Sequence, residues 1–247
     1  MNDDTTTDDI PQHRRWWQRP LRFVLWLAAG AVLLPVLLVL LLRWLPPPTS
    51  AFMLARHIER WRTQPAAATP LRYQWVPWAR ISPQMPLAVI AAEDQNFFDH
   101  HGFDLEAIGE ALERNAQGGR LHGGSTLSQQ VAKNLFLWSG RSYLRKGLEV
   151  GFTLLIETLW PKQRILEVYV NIAEFAPDIY GVDAAARRLL DTTPARLNRQ
   201  QAALLAAVLP SPRRLHADRP SLYLVKRTFW IAEQMEQLGG TAWIHQP

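Results

Sequence analysis

At 247 residues the chain can bury one sizeable domain with an accessory segment, and is short for two full domains. Its formal net charge of +5 suits an anionic partner, whether nucleic acid, acidic lipid headgroups or a phosphorylated substrate, without choosing among them. There are no cysteines, which excludes disulfides and thiolate sites for metals or nucleophilic attack.

Residues 1–20 read as a polar, Thr/Asp-rich tail that is expected to stay disordered. From Phe23 to Leu42 no residue is charged and Pro35 is the only helix breaker. A helix of that length, rising about 1.5 Å per residue, spans about 30 Å, the hydrocarbon thickness of a bilayer. A cleaved signal peptide is the rival reading. It needs a shorter apolar core and a small-residue cleavage site, whereas Arg43-Trp44-Leu45 and three prolines follow here. An uncleaved anchor over residues 21–43 is therefore the expectation. Arg14, Arg15, Arg19 and Arg22 crowd its amino-terminal side, which by the positive-inside rule places that end in the cytoplasm. The rest of the chain then lies beyond the inner membrane, in the periplasm, where nucleic acid and ATP are not expected partners.

Residues 44–70 form a linker: a stiff proline exit, a short helix from Phe52 to Arg62 on a three- and four-residue apolar spacing, and a loop from Gln64 to Pro70. Residues 71–240 read as one mainly α domain with a continuous core. Arg72–Trp78 suits a short strand or extended segment. Helices are expected over Pro86–Phe97, Leu105–Asn115 with Asp104 as its cap, Ser125–Leu135 capped by Ser125, and Leu144–Trp160 ended by Pro161. Further helices are expected over Gln163–Phe175, Gly181–Leu190, Asn198–Leu209 and Val225–Leu238, with Gly118 and Gly119 breaking the chain.

The chemistry concentrates between residues 93 and 149. Glu93 ends an apolar stretch and precedes Phe97 and Phe98, surroundings that raise a carboxyl pKa and suit a general base. A solvated acidic turn fits the same residues. Gly123-Gly124-Ser125-Thr126 lets backbone amides approach an anion at a helix start, and Gln129, Gln130, Lys133 and Asn134 follow in lines along that helix. An ordinary capped amphipathic helix would look alike. Arg141, Arg145, Lys146 and Glu149 make a mixed-charge cluster that could bind pyrophosphate, or could be a surface ion-pair set. The apolar residues flanking it suit contact with a membrane surface, or a plain core. No histidine, cysteine or carboxylate spacing marks a metal site, and there is no nucleophile elbow or P-loop. Carboxylates beside cations point to a sugar substrate carrying a phosphate leaving group.

Five blocks in order carry a resemblance. They are Glu93-Asp94-x-x-Phe97-x-x-His100-x-Gly102-x-Asp104; Gly123 through Asn134; Arg145-Lys146-x-x-Glu149; Lys162-x-x-Ile165-Leu166-Glu167-x-Tyr169-x-Asn171; and Tyr180-Gly181-Val182-x-Ala184-Ala185-Ala186. Together they make the chain resemble the peptidoglycan polymerases of glycosyltransferase family 51, at the size of the monofunctional members. The resemblance implies a lysozyme-like helical glycosyltransferase domain with a small membrane-touching lobe around residues 115–150, preceded by one transmembrane helix. It implies lipid II and the growing glycan strand as substrates, the inner membrane as support and other cell-wall synthesis proteins as partners. Glu93 would be the general base and Glu149 the second glutamate on the leaving-group side. Lys133 and Arg141 would hold the pyrophosphate, with Gln129, Gln130, Arg145 and Lys146 lining the cleft and Asp94 and Ser125 supporting it. No cofactor is demanded, although a divalent cation could accompany the pyrophosphate. Ser128 in place of threonine, the Ala176-Pro177-Asp178 loop and the Leu189-Leu190 pair depart from the family's pattern. No transpeptidase domain is seen, so penicillin binding is not expected. A lytic enzyme acting on finished glycan, or a non-catalytic scaffold, are the alternatives.

Overall fold

A computed structural model describes residues 18–63, 71–116, 124–140 and 142–241. Residues 1–17 of the expected amino-terminal tail, the 64–70 loop, the Gly118-Gly119 break and Arg141 lie outside the described residues, while residues 18–20 of that tail are helical and open the first helix. The first helix, α1 (Gln18–Leu42), contains the apolar run with Pro35 inside it. Within it, Arg22–Leu42 is the one helix among the described residues long and apolar enough to cross a membrane, and almost all of its surface is exposed. After the prolines comes α2 (Ala51–Thr63).

The core is built around α3 (Gln84–Glu93). Every residue from Met85 to Ala91 is buried, as expected of a helix that is apolar on all sides. It lies against α9 (Arg199–Val208) and α10 (Leu222–Gln237) on one side and α7 (Lys162–Ile172) on another. Ala202, Ala203, Ala206 and Ala207 are all fully buried on α9. Such small side chains let two helices approach closely. A second layer pairs α5 (Leu127–Phe136) with α6 (Tyr143–Leu159), and α4 (Leu105–Ala116) starts where Asp104 Oδ1 accepts from Ala107 N at 2.8 Å. The domain is mainly helical and lysozyme-like, as the resemblance implies.

Several boundaries differ from the expected ones. The α3 helix stops at Glu93 rather than Phe97, because Asp94 leaves helical geometry (φ −163°, ψ 76°) and turns its carboxylate to other partners. The α7 helix stops at Ile172, and Phe175, fully buried, belongs to a small antiparallel hairpin of β1 (Glu174–Ala176) and β2 (Ile179–Tyr180). In the expected strand only Arg72 makes a bridge, parallel to Ile179, before the chain enters a 3-10 turn at Trp78–Arg80. Extended residues between them are tied down by a side chain instead: Asn171 accepts from Val76 N at 2.8 Å and donates to Val76 O at 2.9 Å. The departing Ala176-Pro177-Asp178 loop is the hairpin's turn. Asp178 adopts φ +64°, and its carboxylate accepts from Arg56 at 2.7 Å and pairs with Arg60.

Gly181 opens α8 (Gly181–Leu189) at φ +79°, and a Cβ there would collide with the Asn171 carbonyl oxygen. Positive φ and backbone contact both require glycine. Gly181→Ala is expected to cost about 2–3 kcal/mol, visible as a lower midpoint in thermal melts.

The end of α1 is fastened to the domain. Trp160 Nε1 donates to Val39 O at 2.7 Å, and Arg164 Nη2 donates to Leu42 O at 2.9 Å and Leu45 O at 2.7 Å. Arg43 donates to Leu159 O in return. Arg164 also pairs with Glu167 at 2.6 Å and lies over the Trp75 ring. Terminal carbonyls of a helix lack intrahelical partners, so Arg164 serves as the cap of α1. Tyr73 donates to Pro47 O at 2.6 Å and holds the proline exit.

Candidate active site

Glu93 is the last residue of α3, and its side chain is 14% exposed. Oε2 accepts from Gln130 Nε2 at 3.0 Å, and Gln130 Oε1 accepts from Tyr169 Oη at 3.0 Å. The buried tyrosine hydroxyl thus sets the orientation of the amide, which in turn fixes one carboxylate oxygen. The other, Oε1, is buried with no hydrogen-bond partner among the described residues. Burial pushes the Glu93 pKa up, against the Gln130 hydrogen bond and the charges of Arg227 and Lys133, with Asp94 adding to the rise. Burial likewise holds the Tyr169 pKa well above its ordinary value, which keeps the phenol a donor.

Asp94 joins α3 to the start of α5. Its Oδ2 accepts from Leu127 N at 2.8 Å and its Oδ1 from His100 Nε2 at 2.9 Å. His100 Nδ1 accepts from Gly102 N at 3.1 Å, which places the ring proton on Nε2, facing Asp94. The cap of α5 is Thr126, not Ser125. Thr126 and Gln129 form a capping box, and Thr126 Oγ1 donates to Gly102 O at 2.7 Å. Ser125 is exposed at the rim of the cavity that Glu93 and Asp94 line. The amides expected to receive an anion at this helix start are therefore largely taken: Thr126 N by Gln129, Leu127 N by Asp94 and Gln129 N by Thr126. Gln129 is buried in the capping box rather than facing a cleft. Gly123 lies outside the described residues.

Glu149, on α6, is the second carboxylate and is 3% exposed. Lys146 Nζ lies 2.6 Å from its Oε1, and Arg145 pairs with its Oε2. Lys133 of α5 lies near both glutamates, close enough for its charge to interact with each. Burial lowers its pKa, and of the charges around it Glu149 and Glu93 oppose that shift while Arg145 and Lys146 add to it. Ser128 braces α5 from behind by donating to Glu157, which also accepts from Lys162 Nζ at 2.9 Å.

Two residues of this arrangement were not assigned a role from sequence. Tyr169 lies in the fourth sequence block, and its hydrogen bond to Gln130 is what ties it to Glu93. Arg227, on α10, brings Nη2 to 3.9 Å from Glu93 Oε1. It had no local signal.

A carboxylate with a raised pKa and one unpaired oxygen, a lysine, and a second carboxylate clamped by cations suit acid/base-assisted group transfer from an anionic leaving group. The class so defined is a glycosyl-transferring enzyme. The chain belongs to the transglycosylase family, whose profile matches residues 62–236. It is 55% identical over 225 residues to a biosynthetic peptidoglycan transglycosylase of Stutzerimonas stutzeri, covering 91% of this chain and 90% of that one. A protein of the same description from Xanthomonas campestris pv. campestris is 50% identical over 247 residues, the full length of both. One from Pseudomonas fluorescens is 52% identical over 233 residues, covering 94% and 95%.

Proposed function

We propose that this chain polymerises peptidoglycan glycan strands from lipid II, with Glu93 as the general base. The observation that carries the assignment is the buried, unpaired Oε1 of Glu93, near a lysine whose charge also interacts with Glu149. The acceptor's 4-hydroxyl gives its proton to Glu93 as its oxygen forms a bond to the donor's anomeric carbon. The bond from that carbon to the pyrophosphate breaks, the configuration inverts, and undecaprenyl pyrophosphate leaves. Its charge is met by Lys133, Arg141, Arg145 and Lys146, while Glu149 holds Arg145 and Lys146 in place. The described residues offer a divalent cation no acidic cradle: they contain no cluster of three or more metal-ligating side chains, and both Glu149 oxygens are already paired.

In this reading α1 anchors the chain in the inner membrane with its amino terminus cytoplasmic and the domain periplasmic. The arginines before the apolar run support that direction. Tyr143 and Leu144 are 99% and 70% exposed at the start of α6, next to the cationic cluster, which suits contact with the bilayer surface. Other cell-wall synthesis proteins are the expected partners.

The test uses the full chain in detergent with fluorescent lipid II, the products being resolved on gels with and without muramidase digestion. A muramidase-sensitive ladder is expected. Cleavage of preformed glycan without a ladder would move the chain to the lytic reading, and neither activity would leave the scaffold.

A further inference from the structure

The α10 helix lies beyond the five sequence blocks, yet it brings two side chains to the catalytic cavity. Arg227 Nη2 is 3.9 Å from Glu93 Oε1, too far for a hydrogen bond. Arg227 Nε and Glu93 Oε1 are both buried without a hydrogen-bond partner among the described residues. Buried polar atoms are nearly always paired, and exceptions gather where a ligand completes them. A hydroxyl oxygen placed about 2.8 Å from each group closes a triangle over the gap. It can donate to the carboxylate while accepting from the guanidinium. One turn further along, Trp230 lines the same cavity as Glu93, Asp94 and Ser125, and on its other side borders a groove with Gln200, Lys226 and Phe229. Trp230 is 45% exposed. An indole offers a flat apolar face with a polar edge, matching a pyranose ring that carries C–H groups on its faces and hydroxyls at its rim.

We propose that Arg227 and Trp230 form the subsite for the sugar that supplies the attacking hydroxyl, its ring resting on the indole and its oxygen lying between Arg227 and Glu93 Oε1. This rests on the transfer reaction proposed above. The proton passes from the hydroxyl to Glu93. The oxygen's electron pair forms the new bond to the anomeric carbon, and the departing pair leaves with the pyrophosphate. Arg227 keeps its proton throughout and stabilises the charge that develops on the oxygen. The groove beyond Trp230 continues from this subsite and gives the rest of the acceptor an exit from the cavity.

The groups facing Glu93 are Arg227 from α10, Gln130 and Lys133 from α5, Tyr169 from α7 through Gln130, and the neighbouring Asp94. Steady-state kinetics of the full chain in detergent, with lipid II as the probe, separate the two contributions. Trp230→Ala is expected to raise KM about tenfold with kcat little changed, and Trp230→Phe to recover most of that loss. Arg227→Gln is expected to lower kcat about a hundredfold. It should also move the acid limb of the kcat/KM profile to higher pH, since a cation favouring the charged base is gone, whereas Arg227→Lys keeps the limb in place. Wild-type KM, kcat and pH profile in both Trp230→Ala and Arg227→Gln would overturn the subsite while leaving polymerisation standing. Equal loss of kcat and thermal stability in Arg227→Gln and Arg227→Lys would also overturn it, by making the arginine structural. Absence of glycan from the wild type would instead overturn the transfer reaction itself.

Discussion

Glu93→Gln is expected to lower kcat for lipid II polymerisation by about a thousandfold while leaving KM within about threefold, because it removes the proton acceptor and keeps the shape. That loss corresponds to about 4 kcal/mol of transition-state stabilisation. Steady-state rates on fluorescent lipid II measure it directly, and an unchanged kcat would remove Glu93 from the mechanism. Two further results accompany it. In the wild type the acid limb of kcat/KM should lie above the ordinary carboxylate range, since burial raises the Glu93 pKa and the base must be ionised to act. Stability should run the other way. A carboxyl whose folded pKa is raised binds its proton more tightly in the folded state, so stability falls as pH rises from the unfolded glutamate's pKa toward the folded one. Removing the carboxylate relieves that loss. Glu93→Gln should therefore melt no lower than wild type at neutral pH, which makes its inactivity a matter of chemistry rather than folding.

Asp94→Asn is expected to fail for the opposite reason. Leu127 N and His100 Nε2 both donate to Asp94, and Gly102 N occupies the other nitrogen of the imidazole. A carboxamide has one acceptor oxygen, so one buried donor would face an amide N–H. Leaving a buried donor unpaired and losing a charge-assisted bond should cost about 2–4 kcal/mol. Each kcal/mol lowers Tm by about 2–4 °C in a domain of this size, so calorimetry should show a drop of roughly 5–15 °C. Activity should fall as well, because Gln130 and Lys133 are carried on the helix that Asp94 holds. A variant with wild-type Tm would show that this junction is not what seats α5 against α3.

Much of this arrangement is legible in the sequence because it depends on neighbours along the chain. The uncharged run names α1, the apolar stretch ending at Glu93 names α3, and Asp104 marks the start of α4. The two glutamates and Lys133 stand out as chemistry before any fold is known. Local ambiguity accounts for one error. Ser125 and Thr126 are adjacent hydroxyls, and the capping-box spacing of Thr126 to Gln129 was the signal that separates them. The same box buries Gln129 beside the cap. The hairpin was hidden because strands of three and two residues are too short to show alternation. Arg227 was hidden for a tertiary reason: α10 looks like any surface helix until it is laid against α3. Asp94 was read as support for the site, but its bond to a backbone amide across the loop has no sequence trace at all.

The fastening of α1 has a mechanical consequence. With Arg164 and Trp160 bonded to its last carbonyls and Tyr73 holding the proline exit, little slack separates the apolar helix from the catalytic cleft. The end of α1 and the domain are joined by direct hydrogen bonds. Membrane helices tilt by amounts that depend on how their apolar length matches the bilayer. A tether would absorb such a tilt, whereas in the proposed membrane-anchored arrangement a tilt of the end of α1 reaches the domain through this joint, and bilayer thickness then bears on the angle at which the cleft meets the lipid surface.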